Sequence, residues 1–127
     1  MYGPLVSDHF RNPRNLGRLV EPDGVGQVDD VGTDTFMTVH VKLAPAPDGA
    51  VVSEVRFRAL GCSACIATGS MVTELALGRS VGEAGAIDAD AILAALEHGI
   101  PESQHYCAAL AARALRLALS AIERFDL

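Results

Sequence analysis

The chain has 127 residues, of which 50% are hydrophobic and 20% are charged, with a net charge of −6. This composition is typical of a folded globular protein, and its acidic balance argues against a nucleic-acid partner, which needs a basic face. No apolar run approaches the roughly 18 residues of a membrane span, and the N-terminus lacks the basic and apolar regions of a signal peptide. We therefore expect one domain over residues 1–127, in the cytoplasm, with no nucleic-acid or membrane partner.

The first part of the chain contains a short amphipathic segment and then three strand-like segments. The amphipathic segment covers residues 2–11 and is stopped by Pro13, which disfavours helical geometry at the residue before it. The strand-like segments are Val25–Val31, Thr35–Leu43 and Val51–Arg58, and the latter two alternate apolar and polar residues. The connection Ala44–Gly49 carries the turn signal Asp48-Gly49 and predicts a hairpin.

From Cys62 onward the residues favour helices, because alanine and leucine dominate and β-branched residues become rare. We expect helices at about Ala64–Leu77, at Ala89–Glu97 behind an Asp88 cap, and at Tyr106–Phe125, where apolar residues recur at helical spacing. Strands followed by helices predict an α+β fold, in which a three-stranded antiparallel sheet is covered by helices on one face.

The stretch between the last strand and the first long helix carries two of the three cysteines. Gly61 can adopt positive φ there, so Cys62 lies at a strand-to-helix corner beside a helix N-terminus. The partial positive charge of that terminus favours a thiolate, which is the form that binds metal or attacks sulfur. Cys65 completes a C-x-x-C spacing, which suits a metal knuckle or a redox pair but is by itself a weak signal.

Cys107 lies in the first turn of the last predicted helix, next to His105 in sequence, so the same dipole argument applies to it. Two thiols at two helix N-termini can converge on one zinc or iron–sulfur centre. The alternative is a purely structural role for these residues, with Cys62 as a small buried hydrophobic residue and Cys65 as part of the core. Three cysteines without a disulfide framework indicate a reducing compartment.

An acidic group flanks the turn between the first two strand-like segments: Asp29, Asp30 and Asp34. Such a cluster is usually a solvated turn. If the fold brings this loop close to Cys62 and Cys107, one of its carboxylates can complete a metal site.

Three separated segments carry recognisable motifs. The opening one is Asp8-His9-Phe10-x-Asn12-Pro13-Arg14-Asn15-Leu16-Gly17. The others are Gly61-Cys62-x-x-x-Ile66-Ala67-x-x-Ser70-Met71-Val72-Thr73-Glu74 and Cys107-Ala108-x-Leu110-Ala111-x-x-Ala114-Leu115. Together these segments, of which the opening one is the most specific, resemble the U-type iron–sulfur cluster scaffolds, namely IscU and the N-terminal domain of NifU. The resemblance spans almost the whole chain, in order and with similar spacing, and it implies the same α+β fold with the site at one end of the sheet.

The resemblance also implies a function. Members of that family assemble a transient 2Fe-2S cluster from iron and from sulfur that a cysteine desulfurase delivers as persulfide, and they pass the cluster to apo-proteins. Their ligands are three cysteines and an aspartate or histidine, and zinc can occupy the same site. Cys62 and Cys107 match two of the cysteines, and the scaffold itself is not an enzyme.

The chain departs from the family pattern in the loop before the second strand. Depending on the register, Thr33 or Gly32 stands at the first ligand cysteine and Thr35 or Asp34 at the aspartate. Cys65, His105 and Asp34 are therefore candidate replacement ligands. Tyr106 stands where the family has a histidine, and Ile100-Pro101 is only half of the chaperone-binding stretch, which argues against an Hsp70-type partner.

Three functions follow as hypotheses. The first is a divergent cluster scaffold or carrier that uses Cys62, Cys107, Asp34 and either Cys65 or His105. The second is a regulatory or desulfurase-binding paralogue without a cluster. The third is a zinc-binding protein or a persulfide carrier. The chain is expected to be a monomer or a homodimer.

Overall fold

A computed structural model describes residues 2–47 and 49–122 of the chain. Three strands, β1 (Gly24–Asp30), β2 (Thr35–Ala46) and β3 (Gly49–Leu60), form an antiparallel sheet in the order β1-β2-β3. The predicted α+β class and sheet are confirmed, and the structure adds the register, which pairs Asp30 with Thr35 and Phe36 with Leu60.

Helices α1 (Pro4–Arg11), α2 (Ser63–Ala76), α3 (Val81–Gly85), α4 (Ala89–Ala95) and α5 (Tyr106–Ser120) account for most of the remaining chain. The short helix α3 was not expected from the sequence, although a capping box between Ser80 and Glu83 fixes its start. Helix α5 ends earlier than predicted, because Ile122 donates to the Leu119 carbonyl three residues back and tightens the last turn. The predicted end at Phe125 lies outside the described residues.

The hairpin between β2 and β3 is tighter than the sequence predicted. The expected connection at residues 44–49 is largely strand, because the ladder continues through the pairs Pro45–Ala50 and Ala46–Gly49. Pro45 is tolerated because β1 pairs with β2 only as far as Val41, so nothing on that side of β2 needs an N–H from Pro45. Asp48 of the predicted turn lies outside the described residues.

One face of the sheet is covered by the helices, with α2 packed on β3 and α5 packed on β1 and β2. The inward side chains of β2 alternate with half-exposed ones, as the polar–apolar alternation predicts. None of the described helices is both long and apolar enough to span a bilayer.

Two glycines of β1 allow α5 to lie directly on the sheet. A Cβ atom at Gly24 would stand 2.1 Å from the Ala118 carbonyl oxygen, and one at Gly26 would stand 2.1 Å from the Ala114 carbonyl oxygen. Backbone atoms cannot yield as a flexible side chain does, so this contact requires glycine. Since Cys107 lies at the N-terminus of α5, these glycines also set the position of that cysteine.

The opening motif joins α1 to α2. His9 is buried, and its Nδ1 lies 2.7 Å from Ser70 Oγ while its Nε2 lies 3.3 Å from Glu74 Oε1. The backbone N–H of Arg14 donates to the same Ser70 hydroxyl at 2.9 Å. A neutral imidazole with its proton on Nε2 satisfies every group in this network. The motif is thus a structural clamp that holds the N-terminal segment against α2.

Candidate metal centre

Cys62 lies at the corner where β3 turns into α2. Gly61, the residue before it, has φ of 152°, which a residue with a side chain rarely adopts. A Cβ atom at Gly61 would approach Cys65 Sγ to 3.2 Å and Thr35 Oγ1 to 3.3 Å. Cys62 itself is the N-cap residue of α2, as the strand-to-helix reading of the sequence predicts.

The three cysteines form a triad of thiols, which we call the cysteine triad: Cys62, Cys65 and Cys107. The sulfur of Cys62 lies 3.5 Å from each of the other two sulfurs, and those of Cys65 and Cys107 are 2.8 Å apart. Among the described residues, this is the group of cysteine, histidine and acidic side chains whose ligand atoms all lie within 4.8 Å of one another. Cys65 is therefore both a buried core residue and a member of the cysteine triad.

Thr68 holds the two helices that carry the triad. Its buried hydroxyl lies 3.2 Å from the Cys65 carbonyl oxygen and 3.3 Å from the Cys107 carbonyl oxygen, and it donates a shared hydrogen bond to them. One carbonyl belongs to α2 and the other to α5, so the bond fixes the separation of Cys65 and Cys107.

The close thiols influence each other's protonation. The hydrogen bond from Cys107 stabilises a thiolate on Cys65, and despite the opposing effect of burial the pKa of Cys65 falls to about 6. The same hydrogen bond, together with burial and the negative charge on Cys65, raises the pKa of Cys107. Within this pair the negative charge therefore lies on Cys65, and Cys107 donates the hydrogen bond.

The sulfur positions suit one tetrahedral metal ion. With metal–sulfur bonds of about 2.3 Å, tetrahedral ligand sulfurs lie about 3.8 Å apart. The two distances from Cys62 are already close to that value, and the Cys65–Cys107 pair must open by about 1 Å. Three soft thiols on two helix N-termini match the donor set of zinc and of iron–sulfur centres.

A cavity of about 540 Å³ opens in front of Cys62. Asp34 lines the same cavity as Cys62, and it is exposed and has φ of 55° in the left-handed region. Thr35 is the first residue of β2 and turns inward, where its Oγ1 lies 3.9 Å from Cys65 Sγ. The other residues that line the cavity are Asp29, Thr33, Phe36, Leu60, Gly61 and Tyr106.

The remaining sequence candidates are placed differently. The Nε2 atom of His105 lies 3.0 Å from the Ile100 carbonyl oxygen, and His105 is outside the group of mutually close ligand atoms. Asp29 faces the cavity, whereas Asp30 accepts a hydrogen bond from Thr33 at 2.9 Å and so braces the loop.

Sequence reasoning missed Thr68, placed Thr35 at the family's aspartate position in one of two registers, and assigned no role to Tyr106. The phenol oxygen of Tyr106 lies 4.0 Å from Cys62 Sγ, and desolvation followed by the charge of the nearby thiols raises its pKa, so it remains a neutral donor. Its position beside Cys107 at the helix start was the available signal. No feature of the sequence pointed to Thr68, because neighbouring residues do not reveal whether a threonine hydroxyl bonds only its own helix or also a second helix.

Comparison with known proteins relates the chain to one family. Residues 1–125 match the family model described as the NifU-like N terminal domain. The chain is 41% identical over 119 residues to the iron-sulfur cluster assembly scaffold protein IscU 1 of Archaeoglobus fulgidus, covering 94% of this chain and 74% of that one. It is 34% identical over 122 residues to the corresponding IscU of Escherichia coli K12, covering 94% and 91% of the two chains.

Solved structures show the same fold. A nitrogen-fixing NifU-like protein (N-terminal) from Brucella abortus aligns with a TM-score of 0.72 at 18% identity and covers 95% of this chain and 93% of that one. At that level of identity the likeness bears on the fold alone.

Proposed function

This chain belongs to the NifU-like N-terminal domain family, as its three sequence segments predicted, and we propose on that premise that it is an iron–sulfur cluster assembly scaffold. In this proposal it receives sulfur from a cysteine desulfurase, holds iron with that sulfur as a transient 2Fe-2S cluster, and transfers the cluster to apo-proteins. The scaffold holds and passes on a cargo, and its relatives are named as scaffold proteins.

The observation that carries the proposal is the cysteine triad beside an open cavity. Two of its members, Cys62 and Cys107, are the cysteines that match the family motifs. Cys65 supplies the third thiol, which the β1–β2 loop lacks in this chain. A triad of thiols within bonding range of one metal disfavours the alternative of a paralogue that has given up metal chemistry.

The proposed ligands are Cys62, Cys65, Cys107 and Asp34. Asp34 is proposed because it faces the cavity that Cys62 faces, and a carboxylate ligand from an exposed loop leaves one side of the site open to solvent. An open side allows cargo to leave, whereas a closed ligand set retains its metal. His105 is not part of this set, since its ring is engaged by the Ile100 carbonyl.

The proposed compartment is the cytoplasm, and the proposed scaffold unit is residues 1–127. Three cysteines at close range remain thiols only where the surroundings are reducing, and the ligands must be thiolates for metal to bind. Zinc, which prefers the same donors, is the expected competitor for the site.

The test is anaerobic reconstitution with iron, cysteine and a cysteine desulfurase, followed by visible absorption and iron analysis. We expect a cluster spectrum from the unsubstituted protein and its loss in Cys62→Ser, Cys65→Ser and Cys107→Ser. Asp34→Asn should change the rate of transfer to an apo-ferredoxin, whereas the matched control Asp90→Asn, an exposed carboxylate on α4, should leave it unchanged.

No cluster in the unsubstituted protein would overturn the scaffold proposal. A cluster that survives in Cys65→Ser would remove Cys65 from the ligand set and leave the family cysteines alone in that role.

A further inference from the structure

The three thiols differ in access. Cys62 is half-buried and lines the cavity, whereas Cys65 and Cys107 are fully buried and do not line it. Cys62 therefore stands between the cavity and the two buried sulfurs. A sulfur donor that approaches through the cavity meets Cys62 first.

We propose that Cys62 is the thiol that accepts sulfane sulfur and that Cys65 is a resolving thiol, which releases this sulfur as sulfide. The inference rests on the proposed function in one respect, namely that the chain receives persulfide sulfur. It adds a chemical step for Cys65 that is separate from holding metal.

The step is a thiol–disulfide exchange at sulfur. A donor persulfide first transfers its terminal sulfur to Cys62, so that Cys62 becomes a persulfide and the donor leaves as a thiolate. The Cys65 thiolate then attacks Cys62 Sγ, a Cys62–Cys65 disulfide bond forms, and the bond from Cys62 Sγ to the terminal sulfur breaks. The terminal sulfur leaves with its proton as hydrosulfide. The terminal sulfur thereby gains two electrons, and the sulfurs of Cys62 and Cys65 lose one electron each as they form the disulfide.

The geometry favours this step in two ways. The attacking sulfur is already 3.5 Å from Cys62 Sγ, within the range of nonbonded contact. The attacker lies on the buried side of Cys62 and the cavity lies on its accessible side, so the leaving sulfur departs away from the nucleophile, as displacement at sulfur requires. Tyr106, whose phenol is 4.0 Å from Cys62 Sγ, offers a hydrogen-bond donor on the cavity side.

Cys107 is equally close to Cys62, but the local structure favours Cys65 as the partner. The N–H of Cys65 donates to the Cys62 carbonyl at 3.0 Å, so one turn at the start of α2 holds both residues at C-x-x-C spacing, which is the spacing of redox-active pairs. Cys107 approaches from a different helix, α5, so no single turn of backbone holds it beside Cys62. After the step, a dithiol reductant must supply two electrons to return the disulfide to two thiols. A single turnover is complete before this reduction, so it can be measured without the reductant.

The experiment is a single turnover on metal-free full-length protein. The protein is reduced, treated with a chelator and desalted anaerobically, and then receives less than one equivalent of glutathione persulfide. Released sulfide is measured over time, and the thiol-blocked protein is mapped by mass spectrometry. Protein-free buffer and Cys62→Ser give the background.

We expect the unsubstituted protein to release the transferred sulfur as sulfide and to acquire a Cys62–Cys65 disulfide. In Cys65→Ser and Cys65→Ala, release should slow by about tenfold or more, and a persulfide should accumulate on Cys62. Glu54→Gln, an exposed position of β3 outside the site, is the control, and its release should stay within about twofold of the unsubstituted protein. In Cys107→Ser the Cys62–Cys65 disulfide should still form, because both of its sulfurs remain. Thermal melts of the variants establish that they are folded.

Equal sulfide release from folded Cys65 variants, or a disulfide between Cys62 and Cys107, would overturn the assignment of Cys65. A stable Cys62 persulfide in the unsubstituted protein would overturn the resolving step altogether. If that protein still builds a cluster in the reconstitution with iron, only the present inference fails. If it accepts sulfur neither from the persulfide nor in the reconstitution, the proposed function fails with it.

Discussion

At the scale of single residues, Thr68 connects the two halves of the candidate site. Its hydroxyl hydrogen-bonds to backbone carbonyls of both helices that carry the cysteines, α2 and α5. The cysteine sulfurs themselves contribute little to holding the helices together without a metal, since thiols are weak hydrogen-bond partners. The spacing of the triad therefore depends on a neutral side chain that no metal would touch.

We expect Thr68→Val to weaken metal binding by the triad while preserving the fold. Valine has the shape of threonine but leaves the two carbonyls without the shared donor, which should cost about 1–2 kcal/mol of unfolding free energy. Zinc affinity measured by competition with a chromophoric chelator should fall, and Thr38→Val on the outer face of β2 is the matched control. Unchanged zinc affinity would show that α2 and α5 keep their spacing without this bond.

His9 gives the fold a dependence on pH. Burial lowers the pKa of His9, and the nearby Arg14 lowers it further, while Glu74 and Asp8 only partly oppose these effects. The folded protein therefore binds this proton less readily than the unfolded chain, whose histidine has a pKa near 6.5. The contribution of His9 to the free energy of unfolding is therefore complete above the unfolded-state pKa of about 6.5. It is lost progressively as the pH falls from there towards the lower pKa of the folded state.

This predicts that the urea midpoint decreases between pH 7 and pH 5. His9→Gln should show a smaller decrease over this range, although its stability at pH 7 is lower because the bonds to Ser70 and Glu74 change. His98→Gln, at an exposed position, serves as the control. A pH dependence identical in His9→Gln and the unsubstituted protein would assign the effect to other groups.

At the scale of elements, the position of α5 is set by the absence of side chains on β1. Gly24 and Gly26 face the backbone of α5, and the inward residues of α5 are mainly alanines. Small residues on both sides let helix and sheet approach closely. This contact places the N-terminus of α5, and with it Cys107, beside the start of α2.

We expect Gly26→Ala to destabilise the protein by about 3 kcal/mol, because the added methyl would lie 2.1 Å from the Ala114 carbonyl oxygen and the helix would have to move. Gly82→Ala, where an added Cβ meets nothing within 4 Å, should be neutral or slightly stabilising. Chemical denaturation of both variants checks this. Equal stability of the two variants would mean that α5 can shift without loss.

At the scale of the whole molecule, metal binding and stability are linked. The triad joins α2 to α5, and each helix covers part of the sheet, so a metal that bridges them opposes unfolding of the whole described core. A ligand that binds only the folded state adds stability that grows with its concentration.

We therefore expect zinc at 100 times its dissociation constant to add about 2.7 kcal/mol of unfolding free energy and to raise Tm. Acidification should reduce the gain, because the cysteine ligands must lose their protons to bind. Calorimetry with zinc and with a chelator measures both effects, and Cys65→Ser should lose most of the gain. A full zinc effect in Cys65→Ser would contradict a three-thiol site.

The sequence by itself determined the strands, the starts of the long helices and the family. Alternation of apolar and polar residues is a local property, so it located β2 and β3, and Gly61 marked the corner before α2. Cys62 and Cys107 were placed at helix N-termini for the same reason, because helix starts leave local signals.

Only the tertiary structure decided how these pieces combine into a site. The sequence left Cys65 open between core and ligand, and the packing of α5 against α2 places Cys107 2.8 Å from its sulfur. The register of the β1–β2 loop was also open, and strand pairing turns Thr35 inward while Asp34 lines the cavity. Cys65 and Cys107 are 42 positions apart in the sequence. Their distance in space depends on how closely α5 approaches the sheet at Gly24 and Gly26, and no local sequence pattern encodes that approach.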